Sequence, residues 1–239
     1  MTDDARDAIM LATYQALCEE GYNELTAQSI ADRTNKSKAA LFYHYESKDG
    51  LLGAFIEYLV EGFEDRIERI REQPPVERLA AFVDWWFTPS SNDEVGYHTA
   101  MLELRAQAPY NETYRSTLRE SDAMLRAALV DILEAGIEAG DFRPHDSEAV
   151  ADLLLAASDG ARIRRLTLDR AAYSETVREA LVEYLLADIL APETAYPTEP
   201  TIPFPPDDRL TGTSDEGWGN GVGRDNDTDG DAAGGERTE

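Results

Sequence analysis

The sequence predicts an all-α fold: a three-helix N-terminal helix-turn-helix unit, then a larger helical domain. Three observations carry that expectation. Apolar residues recur at helical spacing from the start of the chain to Ala191, strand alternation and hairpin dipeptides are absent, and breaks between periodic segments coincide with proline, glycine or capping residues.

Taken in order, the first helix carries Ile9, Ala12, Thr13, Ala16 and Leu17 at i, i+3, i+4, i+7 and i+8, and is expected to end near Gly21. Thr26 can cap a short helix starting at Ala27, with Leu25 and Ile30 closing a hydrophobic staple across the cap. That helix is expected to end near Thr34. Asn35 then stands at the turn, because asparagine tolerates the left-handed conformation, and Ser37 caps a second short helix from Lys38 to about Tyr45. Helix, tight turn, helix is the arrangement that lays its second helix in the DNA major groove.

A long helix follows from Ser47 to about Glu72 and stops before Pro74-Pro75; the next contains FVDWWF and ends near Pro89. Another runs from about Asp93 to Gln107, halted by Pro109. Leu118, Leu125, Leu129, Ile132, Leu133 and Ile137 then mark one face of a long helix that Gly140 terminates. Asp146 can cap a helix carrying Val150, Leu153, Leu154 and Ala157. The last helix shows Val177, Leu181, Val182, Leu185, Leu186, Ile189 and Leu190, an apolar arc wide enough to call for a second packing partner.

Charge separates the segments. The chain holds 48 acidic and 22 basic residues, a net charge of -26. Excess acid with almost no lysine reads as a halophile's protein, since at about 1 M salt the Debye length falls to roughly 3 Å and like charges repel weakly. The only three lysines are Lys36, Lys38 and Lys48. Residues 26 to 48 carry four basic and two acidic side chains, whereas residues 49 to 191 carry 14 basic and 28 acidic, so only the helix-turn-helix segment suits a polyanion. Residues 192–239 hold 6 of the 11 prolines and 8 of the 16 glycines, with 12 acidic and 3 basic residues, and are expected to form a disordered acidic tail whose deletion leaves the fold intact. The resulting division is 1–50 for the DNA-binding domain, 51–191 for a ligand-binding and dimerisation domain, and 192–239 for the tail.

No uninterrupted apolar run reaches the 18 or so residues of a membrane span, and MTDDARDAIM is too acidic for a signal peptide, so a cytoplasmic location is expected. Cys18 is a single cysteine without a disulfide partner. His98 and His145 lack partners at metal-ligand spacing, so no metal site, cofactor or catalytic residue is expected.

The stretch GYNELTAQSIADRTNKSKAALFYHYESKDGLLGAF resembles the N-terminal domain of TetR-type transcriptional regulators, through Gly21-Tyr22, Thr26, Ile30-Ala31, Ser37, Leu41-Phe42, His44, Tyr45 and Lys48. Residues 101–169 resemble, more loosely, the C-terminal domain of the choline-responsive, BetI-like branch. The resemblance implies a homodimer with a four-helix interface, a near-palindromic double-stranded DNA operator, a phosphate-binding lysine at Lys48, and a cavity for a small-molecule inducer yet to be identified. Two positions depart from the family pattern: Asn35 replaces a glycine, and Phe42 replaces a tyrosine whose hydroxyl commonly binds phosphate.

The candidate DNA contacts are therefore Thr26, Gln28, Lys36, Ser37, Lys38, Ala39, Ala40, Tyr43, His44 and Lys48. Lysines and a helix N-terminus suit phosphate, and Ala39 and Ala40 let the helix approach base edges. The candidate ligand contacts are Trp85, Trp86, Tyr97, Glu103 and Tyr114, where aromatic faces beside Asp84 or Glu103 would suit an organic cation. The competing assignment for these aromatics is simple core. The competing function is an all-helical carrier or enzyme whose N-terminal helices are only structural.

Overall fold

The computed structural model describes residues 3–34, 36–88, 92–197, 199, 201, 203–205 and 207–210. Asn35 and Pro89, the expected turn and stop, lie outside them. The helices are α1 (Asp3–Glu24), α2 (Ala27–Asp32), α3 (Lys38–Tyr45), α4 (Lys48–Arg69), α5 (Pro75–Phe87), α6 (Asn92–Gln107), α7 (Glu112–Ala139), α8 (Ser147–Thr167) and α9 (Tyr173–Leu181). The last continues through a π-helical turn (Val182–Leu186) into a short final turn (Ala187–Ile189). Among the described residues the only extended pairing is an isolated bridge between Phe142 and Leu190.

Local chemistry sets these boundaries. Thr26 accepts from the Ser29 amide at 3.0 Å while the Ser29 hydroxyl accepts from the Thr26 amide, a reciprocal cap on α2. Ser37, Ser47 and Asp146 cap α3, α4 and α8 by accepting from the amides of Ala40, Gly50 and Ala149, without the reciprocal bond. Gly140 takes φ 83° and closes α7. Gly21, at φ 74°, breaks α1 one turn before its end, which frees the backbone of Tyr22 for long-range partners.

Two cores form. Ile9, Met10, Leu17, Leu25, Ile30, Leu41, Leu52 and Phe55 pack the first, which also takes in Ala100 and Leu104 of α6 and Tyr114 of α7. The second is built from Phe63, Phe82, Leu129, Ile132, Leu133, Leu154 and Leu186. α4 serves both, giving Leu51 through Tyr58 to the first and Phe63 to the second, so the N-terminal core runs well past residue 50. α1 and α6 touch backbone to backbone: a Cβ on Gly96 would lie 2.3 Å from the Cys18 carbonyl oxygen.

The expectation of disorder from residue 192 onward is corrected for the described part of that segment. Phe204 is buried in the second core, stacked on Trp85 with ring centroids 4.6 Å apart. Thr201 donates its amide to Glu77 at 3.0 Å, and Arg209 Nη2 donates to the Tyr58 carbonyl at 2.9 Å. These residues form a strap over α4 and α5. Composition averaged over 48 residues hides that Tyr196, Phe204 and Leu210 all fall in the first 19, and a proline-rich strap has few amides that need internal partners. Residues 211–239 lie outside the described set.

Candidate DNA interface and ligand cavity

α3 turns Leu41, 1% exposed, into the first core. Residues two positions to either side lie about 160° around a helix of 3.6 residues per turn, so Ala39 and Tyr43 face directly away from it. Tyr43 is 84% exposed. Thr26, Gln28, Lys36, Ser37, Lys38 and His44 are also exposed, and Ala40 is half-buried, so the structure brings these candidates to the surface of one helix-turn-helix unit. Gln28 donates to Asp32 at 2.7 Å along α2. Phe42, without a hydroxyl, acts as a platform: the Lys38 ammonium sits 5.9 Å from its ring centre.

The cations of this unit are not equivalent. Arg33 is neutralised by Glu19 and by Glu20, the latter at 2.8 Å. Lys36 and Lys38 make no ion pair among the described residues. Lys48 lies half-buried at the start of α4, donates Nζ to the Tyr22 carbonyl at 2.8 Å and sits 4.6 Å over the Tyr22 ring. Burial holds its pKa below the ordinary lysine value, against the pull of Asp49 and Glu24. The turn into α4 depends on two features that sequence reasoning missed: Glu46 at φ 60°, and Gly50, whose Cβ would lie 2.3 Å from the Tyr45 carbonyl oxygen.

Between α4, α5, α6, α7 and α8 lies a cavity of about 590 Å³. Trp85, Trp86 and Tyr97 line it, as the sequence led one to expect. Glu103 and Tyr114 do not, and their assignment as ligand contacts is corrected. Glu103 accepts from the Tyr22 amide at 2.9 Å and from Asn23 Nδ2 at 3.1 Å. Tyr114 is fully buried in the first core, donates to Asp49 at 2.6 Å and packs edge-on against Tyr22. Burial, with the bond to Asp49, pushes its pKa far up. The physical reason is that α6 and α7 each have two buried sides, one on the cavity and one on the N-terminal unit.

Sequence reasoning also missed Arg66, Arg105, Arg162 and His98 in the cavity wall, and the strap residues Phe204 and Asp207 that close it. For Arg66 a signal was available: it stands three residues after Phe63 and seven after Leu59, on the apolar stripe of α4. Arg165 Nη2 donates to His98 Nδ1 at 3.3 Å, so the neutral ring carries its proton on Nε2. Burial, reinforced by Arg162 and Arg165, lowers the His98 pKa to about 3. Tyr97 is pushed up to about 12 by burial, against Arg162 and Arg66.

Residues 9–55 match the family model for the tetR family of bacterial regulatory proteins, and residues 75–191 match the C-terminal model of BetI-type transcriptional repressors. A TetR transcription regulator from Haloarcula marismortui is 39% identical, with a TM-score of 0.72, the match covering 80% of this chain and all of that one. A regulator from Saccharomonospora viridis crystallised with choline shares the fold at 23% identity and a TM-score of 0.67, covering 80% of this chain and all of that one. The transcriptional repressor KstR2 of Mycobacterium tuberculosis is 28% identical over 53% of this chain and 63% of its own length, so the chain spans under two thirds of that relative. The nucleoid occlusion factor SlmA of Vibrio atlanticus is 28% identical over 69% of this chain and 85% of its own. With side-chain caps holding a helix-turn-helix at one end, an aromatic cavity at the other and these matches spanning both, the chain belongs to the TetR family of ligand-responsive, DNA-binding transcriptional regulators.

Proposed function

We propose that the chain is a homodimeric repressor whose two α3 helices enter successive major grooves of a near-palindromic operator, and that a small molecule filling the cavity releases it. The observation that carries this reading is the double role of α6. Met101, Leu102 and Arg105 line the cavity, while Glu103 on the same helix holds the Tyr22 amide, and the Tyr22 carbonyl holds Lys48 at the head of α4. A ligand that moves α6 therefore moves α4 and the reading helix with it; a coupling of about 1–3 kcal/mol is enough for such a switch.

Dimerisation is supported by large apolar side chains left exposed on the last two long helices: Leu153 at 55% and Tyr184 at 74%. Two-fold symmetry then spaces the half-sites about one helical turn, roughly 34–36 Å, apart. Within this reading Lys36, Lys38 and the remaining Nζ donors of Lys48 meet phosphates, and Ala39, Ala40 and Tyr43 face base edges. The test is operator binding to DNA upstream of the protein's own gene, by fluorescence anisotropy in molar salt, alongside mass measurement. A monomer, or equal affinity for unrelated DNA, refutes it.

A further inference from the structure

Counted residue by residue, the charged cavity wall is balanced: Arg66, Arg105 and Arg162 stand against Asp84, Asp159 and Asp207. Counted partner by partner, it is uneven. Asp84 is in contact with Arg178 at 3.3 Å, which Glu175 also meets at 3.5 Å, and Asp207 with Arg209 at 3.0 Å, which Glu61 also approaches at 4.0 Å; neither arginine lines the cavity. Asp159 alone is left for the lining cations, shared between Arg105 at 3.2 Å and Arg162 at 3.5 Å. Arg66 has no carboxylate in salt-bridge contact among the described residues. Its Nε donates to the Gly62 carbonyl at 3.1 Å, and its guanidinium lies 4.9 Å from the Trp85 ring centre and 5.2 Å from that of Phe204.

The two indoles that would attract an organic cation thus already carry guanidinium groups, Arg66 4.9 Å from the Trp85 ring centre and Arg162 5.7 Å from that of Trp86. What the cavity offers instead is donors. The Trp86 indole N–H is buried without a partner among the described residues, and the Tyr97 hydroxyl lies within the fields of both Arg66 and Arg162. An uncompensated buried charge costs free energy that a ligand of opposite sign recovers, while one of like sign adds to it. Screening by concentrated salt weakens this far less in a cavity than at the surface.

We propose that the cavity takes an amphipathic anion, a single carboxylate received by Arg66 and Arg162 with Tyr97 and Trp86 as further donors, and an apolar body lying among Leu59, Met101, Met124 and Leu125. The sequence-level expectation of an organic cation is thereby reversed. The proposal rests on the cavity being the effector site.

Three probes of one chain length, decanoate, decyltrimethylammonium and 1-decanol, test it by calorimetry on the full chain below their micelle concentrations, with operator affinity measured on the same samples. Decanoate is expected to bind at least tenfold more tightly than either other probe, and Arg66→Gln to remove that preference. Asp159→Asn, which frees Arg105 and Arg162 from their shared carboxylate, is expected to tighten decanoate several-fold, a gain that a misfolded variant does not produce. Equal or tighter binding of the cation or the alcohol, weaker decanoate binding by Asp159→Asn, or no binding of any probe overturns the proposal. If decanoate binds as expected and operator affinity does not change, the anion site stands and the release mechanism fails instead.

Discussion

The strap over α4 makes a prediction whose sign depends on context. In the full chain, the three atoms nearest a Cβ on Gly62 would all belong to the strap: Arg209 Nη2 at 1.6 Å, Asp207 Oδ2 at 2.3 Å and Arg209 Cζ at 2.8 Å. Gly62→Ala therefore displaces the ends of the Arg209 and Asp207 side chains and breaks the bond from Arg209 to the Tyr58 carbonyl. Truncation after Ala191 removes it outright, exposing the ring faces of Trp85 and Phe63 against which Phe204 stacks. Burying one phenylalanine side chain is worth about 1.5–3 kcal/mol, and a hydrogen bond from a charged group about the same, so the truncation and the substitution should each cost about 2 kcal/mol, the first through Phe204 and the second through Arg209. At roughly 2–4 °C per kcal/mol for a chain of this size, that is a melting-point drop of about 4–8 °C. In the truncated chain the same Gly62→Ala substitution should stabilise by about 0.5–1 kcal/mol, because alanine is the better helix interior residue once the clash is gone. Truncation after Leu210, which keeps the strap, should leave the melting point unchanged. Thermal melts of the wild type, Gly62→Ala, both truncations and the combined variant in molar salt decide the matter. If Gly62→Ala has one sign in both backgrounds, or loss of residues 192–239 leaves the melting point where it was, the strap does not brace α4.

Three further outcomes follow from the junction and the cavity. Lys38→Gln should lower the slope of log operator affinity against log salt by about 0.9 with no change in melting, whereas Lys48→Gln should lower both, because it also loses a charged hydrogen bond worth about 1.5–3 kcal/mol; a salt series with melts on each variant separates them. Tyr114→Phe should cost a similar 1.5–3 kcal/mol by leaving Asp49 without its hydroxyl donor, yet leave probe affinity in the cavity unchanged, since Tyr114 is not in its wall. For His98 the folded pKa is depressed, so the neutral ring contributes stability that is present above pH 6.5 and lost as pH falls toward 3. By pH 5 the loss reaches about 2 kcal/mol, and His98→Gln should remove that part of the acid slope in denaturation curves at pH 7 and pH 5.

How much of this was legible in the sequence follows the range of the interactions. Caps are local: Thr26, Ser37, Ser47, Asp146 and Gly140 each act within a few residues, and the helix ends they mark stand where the sequence put them. The outward faces of Ala39 and Tyr43 follow from Leu41 facing inward, which periodicity gives directly. Glu103 and Tyr114 were misread because an acid and an aromatic at helical spacing on a helix buried on two sides do not say which side they occupy. The strap was misread because disorder was inferred from an average, while docking depends on three large side chains and on Glu77 lying 124 residues away from Thr201.

Cavity charge is the extreme case of that rule. Arginine and aspartate are counted easily in a sequence, but their effect on a ligand is set by which pairs close, and these join Asp84 to Arg178 and Arg105 to Asp159 across 94 and 54 residues. A chain with net charge -26 gives no hint that a large apolar cavity inside it holds a guanidinium, that of Arg66, with no salt-bridge partner among the described residues. Excess surface acid, screened by salt and hydrated, and the Arg66 guanidinium beside Trp85 and Phe204 obey the same electrostatics in different dielectrics. The field a ligand meets inside is therefore decoupled from the field the surface presents to DNA. Under the two proposals, that separation would let an acidic protein bind a polyanion at its tip through Lys36 and Lys38 and an anionic effector in its centre through Arg66 and Arg162.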